Sequence, residues 1–386
     1  MRTAVSIRIL VLALLILPAA LSGAEVLDRL RASYPQTFTI TQELTPVERE
    51  SVSPTLVTMH LKNASALDVA REVTKQAKLR LIESPPGVVT DSSGVTTTID
   101  LEGKPLWWAM GQAFEGRDNV SIRVQDENSF AYAVSRGSGG PVAMAPWTVG
   151  GPFLVKPMPP RWAGTRFEIT IWLWGEPKIT VLNTMLPTDV SVIGDHGEPY
   201  ALEMGSFQMS YGPANHWTAF NVNFLPDAAA TRIARIKGVA HPLVEIASDR
   251  RRVPATVNAE VSVGGLKLAI TEATVGAKRS DRPAASYTII LEARDVVAGD
   301  REKVLQLMRG TRVVVWDAEF APLAVDGIWH EFKRGKLQTR IEGVAIRSSG
   351  DARPTLPQML QINVPTRATL LDVPFEFTDI PLPERK

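Results

Sequence analysis

The chain has 386 residues, no cysteine, and 42 Lys and Arg against 41 Asp and Glu, a net charge of +1. That length holds two or three domains of about 100–200 residues each. The missing cysteines exclude disulfides, thiolate chemistry, thiolate metal sites and a cysteine-linked lipid anchor. The lack of a basic excess argues against a nucleic-acid partner.

Arg2 and Arg8 flank the start of an unbroken apolar run, Ile9 to Leu17, which Pro18 ends. Ser22-Gly23-Ala24 then places small residues where a signal peptidase cuts. Residues 1–24 are therefore predicted to be a signal peptide, with export to the periplasm or cell surface and a mature chain beginning at Glu25. The apolar run falls short of the roughly 20 residues a membrane-spanning helix needs. Losing Arg2 and Arg8 leaves the mature chain slightly acidic. The longest later uncharged stretch, Gly137 to Val155, is interrupted by Gly and Pro, so no transmembrane segment is expected after signal removal.

Residues 25–54 form a polar lead-in without a sustained period. Val57, Met59 and Leu61 then alternate with Thr58 and His60, as in a strand with one buried face. Ser65 and Asp68 resemble a helix-capping pair, and Leu67, Ala70, Val73 and Ala77 follow as an apolar helical stripe. A strand at Leu79–Ile82 stops at Pro85-Pro86-Gly87. A second round begins with a β-branched strand at Val95–Leu101, and Pro105 suits the first turn of a helix carrying Leu106, Ala109, Met110 and Phe114. Strands at Val120–Val124 and Phe130–Val134 close the round. Residues 55–136 thus read as a small α+β (βαβ-βαββ) module.

Two stretches of this module carry a family resemblance. Val57-Thr58-Met59-His60-Leu61-Lys62-Asn63-Ala64-Ser65-Ala66-Leu67-Asp68-Val69-Ala70 resembles the opening of the secretin and TonB short N-terminal (STN) domain, where a strand runs into an Asn/Asp-Ala-Ser/Pro-Leu-x-Asp-Val-Leu helix start. Thr97-Thr98-Ile99-Asp100-Leu101-Glu102-Gly103-Lys104-Pro105-Leu106-Trp107-Trp108-Ala109 resembles the family's second half, a strand followed by Gly/Asn-x-Pro-Leu-x-x-Ala-Leu. The insertion at residues 84–94 and the Trp107-Trp108 pair depart from that pattern. The resemblance implies a small periplasmic module for assembly or protein contacts, without catalytic residues. No secretin or receptor barrel follows it.

After a Gly/Pro-rich linker at residues 137–165, the period becomes two. Phe167, Ile169, Ile171 and Leu173 alternate with Glu168, Thr170, Trp172 and Trp174. Further strands are predicted at Ile179–Leu182, Val190–Ile193, Trp217–Phe224, Val257–Val263, Leu266–Ile270, Tyr287–Ala293 and Arg312–Trp316. Such spacing indicates predominantly β, sandwich-like modules, at residues 166–253 and 254–350. Ala228–Ile236 and Lys303–Met308 are the weak helix candidates, and Arg250-Arg251-Arg252 reads as a solvated turn. Asp189-Val190-Ser191-Val192-Ile193 with its acidic turn and Pro199 parallels Arg312-Val313-Val314-Val315-Trp316 with Asp317 and Pro322. Trp217/Phe220 and Trp329/Phe332 follow as an aromatic pair in each stretch. Duplication and ordinary strand–turn succession both explain this parallel. The Pro-rich tail, residues 351–386, is apolar enough to dock, with Val373–Phe377 as an edge strand.

No Gly-x-Ser-x-Gly elbow and no Gly-x-x-x-x-Gly-Lys occurs, and the five histidines show no metal-ligand spacing. His330-Glu331, adjacent on a strand, point to opposite faces. No cofactor or metal is expected. Asp195-His196-Gly197 is the most suggestive polar trio and also a plain hairpin turn; Asp317 and Glu319 read as turn carboxylates. Trp172 and Trp174 share the face opposite the core, where they can stack on sugar rings, anchor a partner protein or pack against a neighbouring module. The sequence thus points to an exported, multi-domain envelope protein with a non-enzymatic protein-binding, assembly or scaffolding role. The alternative is a protein that binds or acts on polysaccharide through the tryptophan strand.

Overall fold

The computed structural model describes residues 38–84, 96–114, 120–134, 146–163, 166–204, 216–225, 230–278, 285–333, 335–347 and 355–383. The predicted signal peptide lies outside them. The protein is mostly β, with several sheets, and the described residues form three clusters of buried apolar side chains.

The lead-in is structured from Phe38 onward, which its lack of period did not foretell. Strand β1 (Thr39–Ile40) pairs parallel with a strand near the C-terminus, and α1 (Pro46–Val52) follows. Thr45 and Glu48 close a capping box at its start, and Pro46 occupies the first turn, where its missing N–H goes unmissed. Strand β2 (Leu56–Ala64), α2 (Ala66–Gln76), β3 (Arg80–Ser84), β4 (Thr97–Pro105), α3 (Leu106–Phe114), β5 (Val120–Asp126) and β6 (Ser129–Val134) come next. Ser65 and Asp68 cap α2 reciprocally, and Val69, Ala70 and Val73 bury its apolar stripe. Strands β2 and β4 pair antiparallel, and β3-β6-β5 form a second small sheet. Val57, Met59, Ile99, Leu106, Trp107, Met110 and Phe130 share one cluster with that stripe.

The remaining strands run through one topological order twice. The first pass is β7 (Thr148–Gly150), β8 (Phe153–Pro157), the short β9 (Arg161–Ala163), β10 (Arg166–Gly175), β11 (Val181–Gly194), β12 (Ala201–Met204), β13 (Trp217–Leu225) and β14 (Arg232–Pro254). The second is β15 (Glu260–Val263), β16 (Leu266–Lys278), β17 (Ala285–Arg294), α4 (Arg301–Gly310), β18 (Arg312–Trp316), β19 (Leu323–Lys333), β20 (Lys336–Arg347) and β21 (Met359–Leu370), with β22 (Val373–Pro381) continuing it. The outer sheets read β12-β13-β10-β8-β7 and β19-β20-β17-β16-β15, the same order of corresponding strands. The parallel seen in the sequence is a matching turn: Gly194 N donates to Glu198 O at 2.9 Å and Asp317 N to Ala321 O at 3.0 Å. Isolated bridges Ile193–Pro199 and Trp316–Pro322 follow those turns. Gly197 and Phe320 take the same left-handed position, at φ +86° and +56°.

The two passes meet in a long antiparallel ribbon, β14 against β21 and β22. Ile193 pairs with Arg235 and Trp316 with Met359, which sets β14 in correspondence with β21–β22. Under that correspondence the pair Ala240–Val373 maps onto Asp249–Val364, and Val239–Pro374 onto Arg250–Asn363. The ribbon therefore has an internal pseudo-twofold axis. Its first half closes one sandwich over Phe167, Ile169, Ile171, Phe220, Val222, Ile236 and Phe375. Its second half closes the other over Leu268, Tyr287, Ile289, Val313, Ile341, Leu360 and Ile362.

Several expectations change accordingly. Residues 148–163, read as linker, form β7–β9: Phe153 and Val155 point into the core, and Gly151 at φ +56° makes the turn that Gly/Pro content suggested was flexible chain. Ala228–Ile236 is no helix where described, since Ile233 and Ile236 face the core from strand β14. Arg250, Arg251 and Arg252 lie in β14, paired with β21, rather than in a turn. Trp217 and Trp329 are not equivalent, standing on β13 and β19, which occupy different places in the repeat. The boundary expected at Val253-Pro254 coincides with the end of β14, a strand that serves both sandwiches. In the tail, β22 pairs with β14 alone among the described strands and so stands at an edge.

Candidate functional site

Strand β10 alternates as its sequence dictates: Phe167, Ile169, Ile171 and Leu173 are buried, while Glu168, Thr170, Trp172 and Trp174 lie half-buried on the other face. Cross-strand pairing brings Trp217 of β13 opposite Trp174. The three indoles form a stack, with Trp172 at 4.4 Å from Trp217 and 5.3 Å from Trp174 between ring centroids. Trp174, with Val149 and Leu154, packs against the apolar cluster of residues 57–132. Beside the stack, Thr170 Oγ1 donates to Asn221 Oδ1 at 2.9 Å, Asn221 Nδ2 donates to Glu168 at 3.0 Å, and Arg161 Nε donates to Glu168 at 2.7 Å.

The second repeat shows what this face holds without that cover. Leu202–Phe224–Phe167 corresponds in register to Val325–Gly343–Tyr287. Trp172, Trp174 and Trp217 then fall on Glu292, Arg294 and Lys336, which form ion pairs at 2.7 and 2.8 Å. An apolar stack stands where another layer packs, and a charged cluster stands at the matching positions of the other repeat.

Polar contacts reinforce the packing of residues 55–134 on the sandwiches. The Glu176 carboxylate, 1% exposed at the end of β10, accepts from Thr55 N at 2.9 Å and Thr55 Oγ1 at 2.6 Å. Burial pushes its pKa up to about 7, against the pull of Thr55 and of Lys178 at 3.8 Å. Glu127, in the β5–β6 turn, pairs with Arg250 at 3.5 Å and with Arg312 at 3.9 Å, and Glu245 holds Arg312 at 3.2 Å.

Asp195 accepts from Thr231 N at 3.0 Å and Thr231 Oγ1 at 2.8 Å, and these bonds lower its pKa to about 2. His196 is exposed beside it, with Nε2 at 3.9 Å from Asp195. Asp317 accepts from Glu319 N and Ala321 N and from Arg347 Nε at 2.7 Å, tying its turn. His330 Nδ1 lies 2.9 Å from Thr339 Oγ1, and burial, with Arg309 near, lowers its pKa to about 4. Among the described residues no group of three His, Cys, Asp or Glu is placed to hold a metal.

One surface was not singled out from the sequence. Strand β19 ends the second outer sheet and pairs with β20 alone among the described strands. Trp329 and Phe332 on it are 50% and 41% exposed. The Trp329 ring lies over Gly327, where a Cβ would meet the indole Cζ2 at 2.6 Å, and Arg301 sits 5.9 Å from the Phe332 ring. The signal available in the sequence was this aromatic pair on an alternating strand; its place at a sheet edge depends on pairing between distant segments. No family model, curated protein or solved structure matches the chain.

Proposed function

We propose that the chain is an exported, multi-domain cell-envelope protein that binds another protein, with no chemistry of its own required for that role. Residues 55–136 are read as an STN-like module for periplasmic contacts, carried on the paired sandwiches. Residues 1–24 supply the export signal. The observation that carries the binding role is the outer edge of β19, eleven residues long and paired on one side only among the described strands, with Trp329 and Phe332 exposed. Unpaired backbone donors and acceptors at a sheet edge accept an added strand, and flanking aromatic side chains anchor it. Sugar recognition at the tryptophan strand is less well supported, because Trp172 is half-buried and already stacks with both Trp174 and Trp217.

The test is purification of the tagged protein from envelope extracts, beside a Trp329→Lys/Phe332→Lys variant. A partner retained by the wild type and lost from the variant, with unchanged thermal melting, supports the reading. Equal retention by both removes β19 as the binding surface.

A further inference from the structure

The first sandwich holds a hydroxyl–imidazole–carboxylate chain that neither outer sheet uses. Thr188 Oγ1 lies 2.9 Å from His241 Nε2, and His241 Nδ1 lies 2.9 Å from Asp372 Oδ1. An ionised carboxylate only accepts, so Asp372 fixes the proton of neutral His241 on Nδ1. Nε2 then presents its lone pair to the Thr188 hydroxyl, the arrangement of a nucleophile held by its general base. His241 is buried, and Asp372 is 80% exposed, so the carboxylate orients the ring through its hydrogen bond while solvent screens part of its charge.

Thr188 stands in a break in the ladder, with register shifts on both sides and Val239 as its cross-strand partner. Asp189, next in the chain and left-handed at φ +52°, lines a cleft of about 420 Å³ with Val239, Val149, Lys237, Pro374 and Phe375. Thr148, Gly238 and Glu376 complete the lining, and a cleft of that size with mixed apolar and charged walls accommodates a small polar-headed ligand.

The internal repeat provides a control. Along the ribbon His241 and Asp372 correspond to Pro365 and Ser248, and Val239, the partner of Thr188, corresponds to Asn363, whose partner is Arg312. The pseudo-twofold ribbon thus forms its second half without this chain of hydrogen bonds, so folding alone does not explain its presence in the first.

We propose that Thr188, His241 and Asp372 form a hydrolytic site for small carboxylic esters. Thr188 Oγ1 bonds to the acyl carbon as its proton passes to His241 Nε2. The ester C–O bond breaks, and the leaving alcohol takes that proton. Water then attacks the acyl-threonine, giving a proton to His241; the acid departs and Thr188 regains its hydrogen. Thr188 and His241 are the catalytic residues, and Asp372 is a positioning residue. This site is independent of the binding role of β19.

The test uses the full mature chain with a fluorophosphonate, which forms a phosphorus–oxygen bond at an activated hydroxyl and expels fluoride. Peptide mass mapping should place the adduct on Thr188. Thr188→Val should abolish it, and Thr188→Ser should retain it. Asp372→Asn should slow labelling and p-nitrophenyl acetate hydrolysis about 100-fold with unchanged melting, and Asp372→Glu should recover part of the rate. Wild-type protein without an adduct at Thr188, or Asp372→Asn labelled at the wild-type rate, overturns the proposal.

Discussion

Replacing Glu176 by Gln should change how stability depends on pH. The carboxyl is buried at the junction with residues 55–134 and titrates at about 7 rather than 4.5. Because the folded-state value lies above the unfolded one, its stabilising contribution is complete below 4.5 and is lost as pH rises through about 7. The difference is worth about 3 kcal/mol between acid and mildly alkaline solution. Glutamine keeps an oxygen to accept from Thr55 N and stays neutral, so the variant should match the wild type near pH 4 and exceed it by up to about 3 kcal/mol near pH 8. Urea unfolding of both proteins across that range, followed by tryptophan fluorescence, measures the difference directly. Parallel pH curves for wild type and variant would show that the Glu176–Thr55 contact does not control a buried titration.

Trp172→Ala removes the middle of the indole stack and should destabilise the fold by about 2–3 kcal/mol, against about 3–4 kcal/mol for the fully buried Ile171→Ala. Near-zero loss for Trp172→Ala in urea melts would return that ring to the list of free binding groups. At the matched turn position, Gly197 at φ +86° and Phe320 at +56° should respond oppositely. Gly197→Ala should lower stability by about 1 kcal/mol and Phe320→Gly raise it by up to about 1 kcal/mol, read as shifts in melting temperature.

Local grammar made much of the fold legible. Ser65 and Asp68 marked the start of α2, the strict alternation from Phe167 to Trp174 marked β10, and Arg312–Trp316 was placed as β18. The capping box at Thr45 and Glu48 carries the same kind of signal for α1, but it sits in a polar segment whose short helix buries only Val52 and shows no apolar stripe. Pairing between distant strands was not legible. The ribbon joins Ala240 to Val373 and Asp249 to Val364, and period-two sequence sets the faces of a strand but not its neighbour. For the same reason Trp217 could not be placed on the stack of Trp172 and Trp174, nor β19 at a sheet edge. Thr188 and His241 are 53 residues apart and His241 and Asp372 131 apart, so their contact exists only once β11, β14 and the bend before β22 assemble.

Amide hydrogen exchange across residues 327–333 tests the binding role most directly. It compares the protein bound to the partner recovered from envelope extracts with the protein alone. If a partner strand pairs with the outer edge of β19, exchange there should slow on binding, while the already paired β17 shows little change. Unchanged exchange along β19 in the complex, with protection appearing elsewhere, would contradict strand addition at that edge.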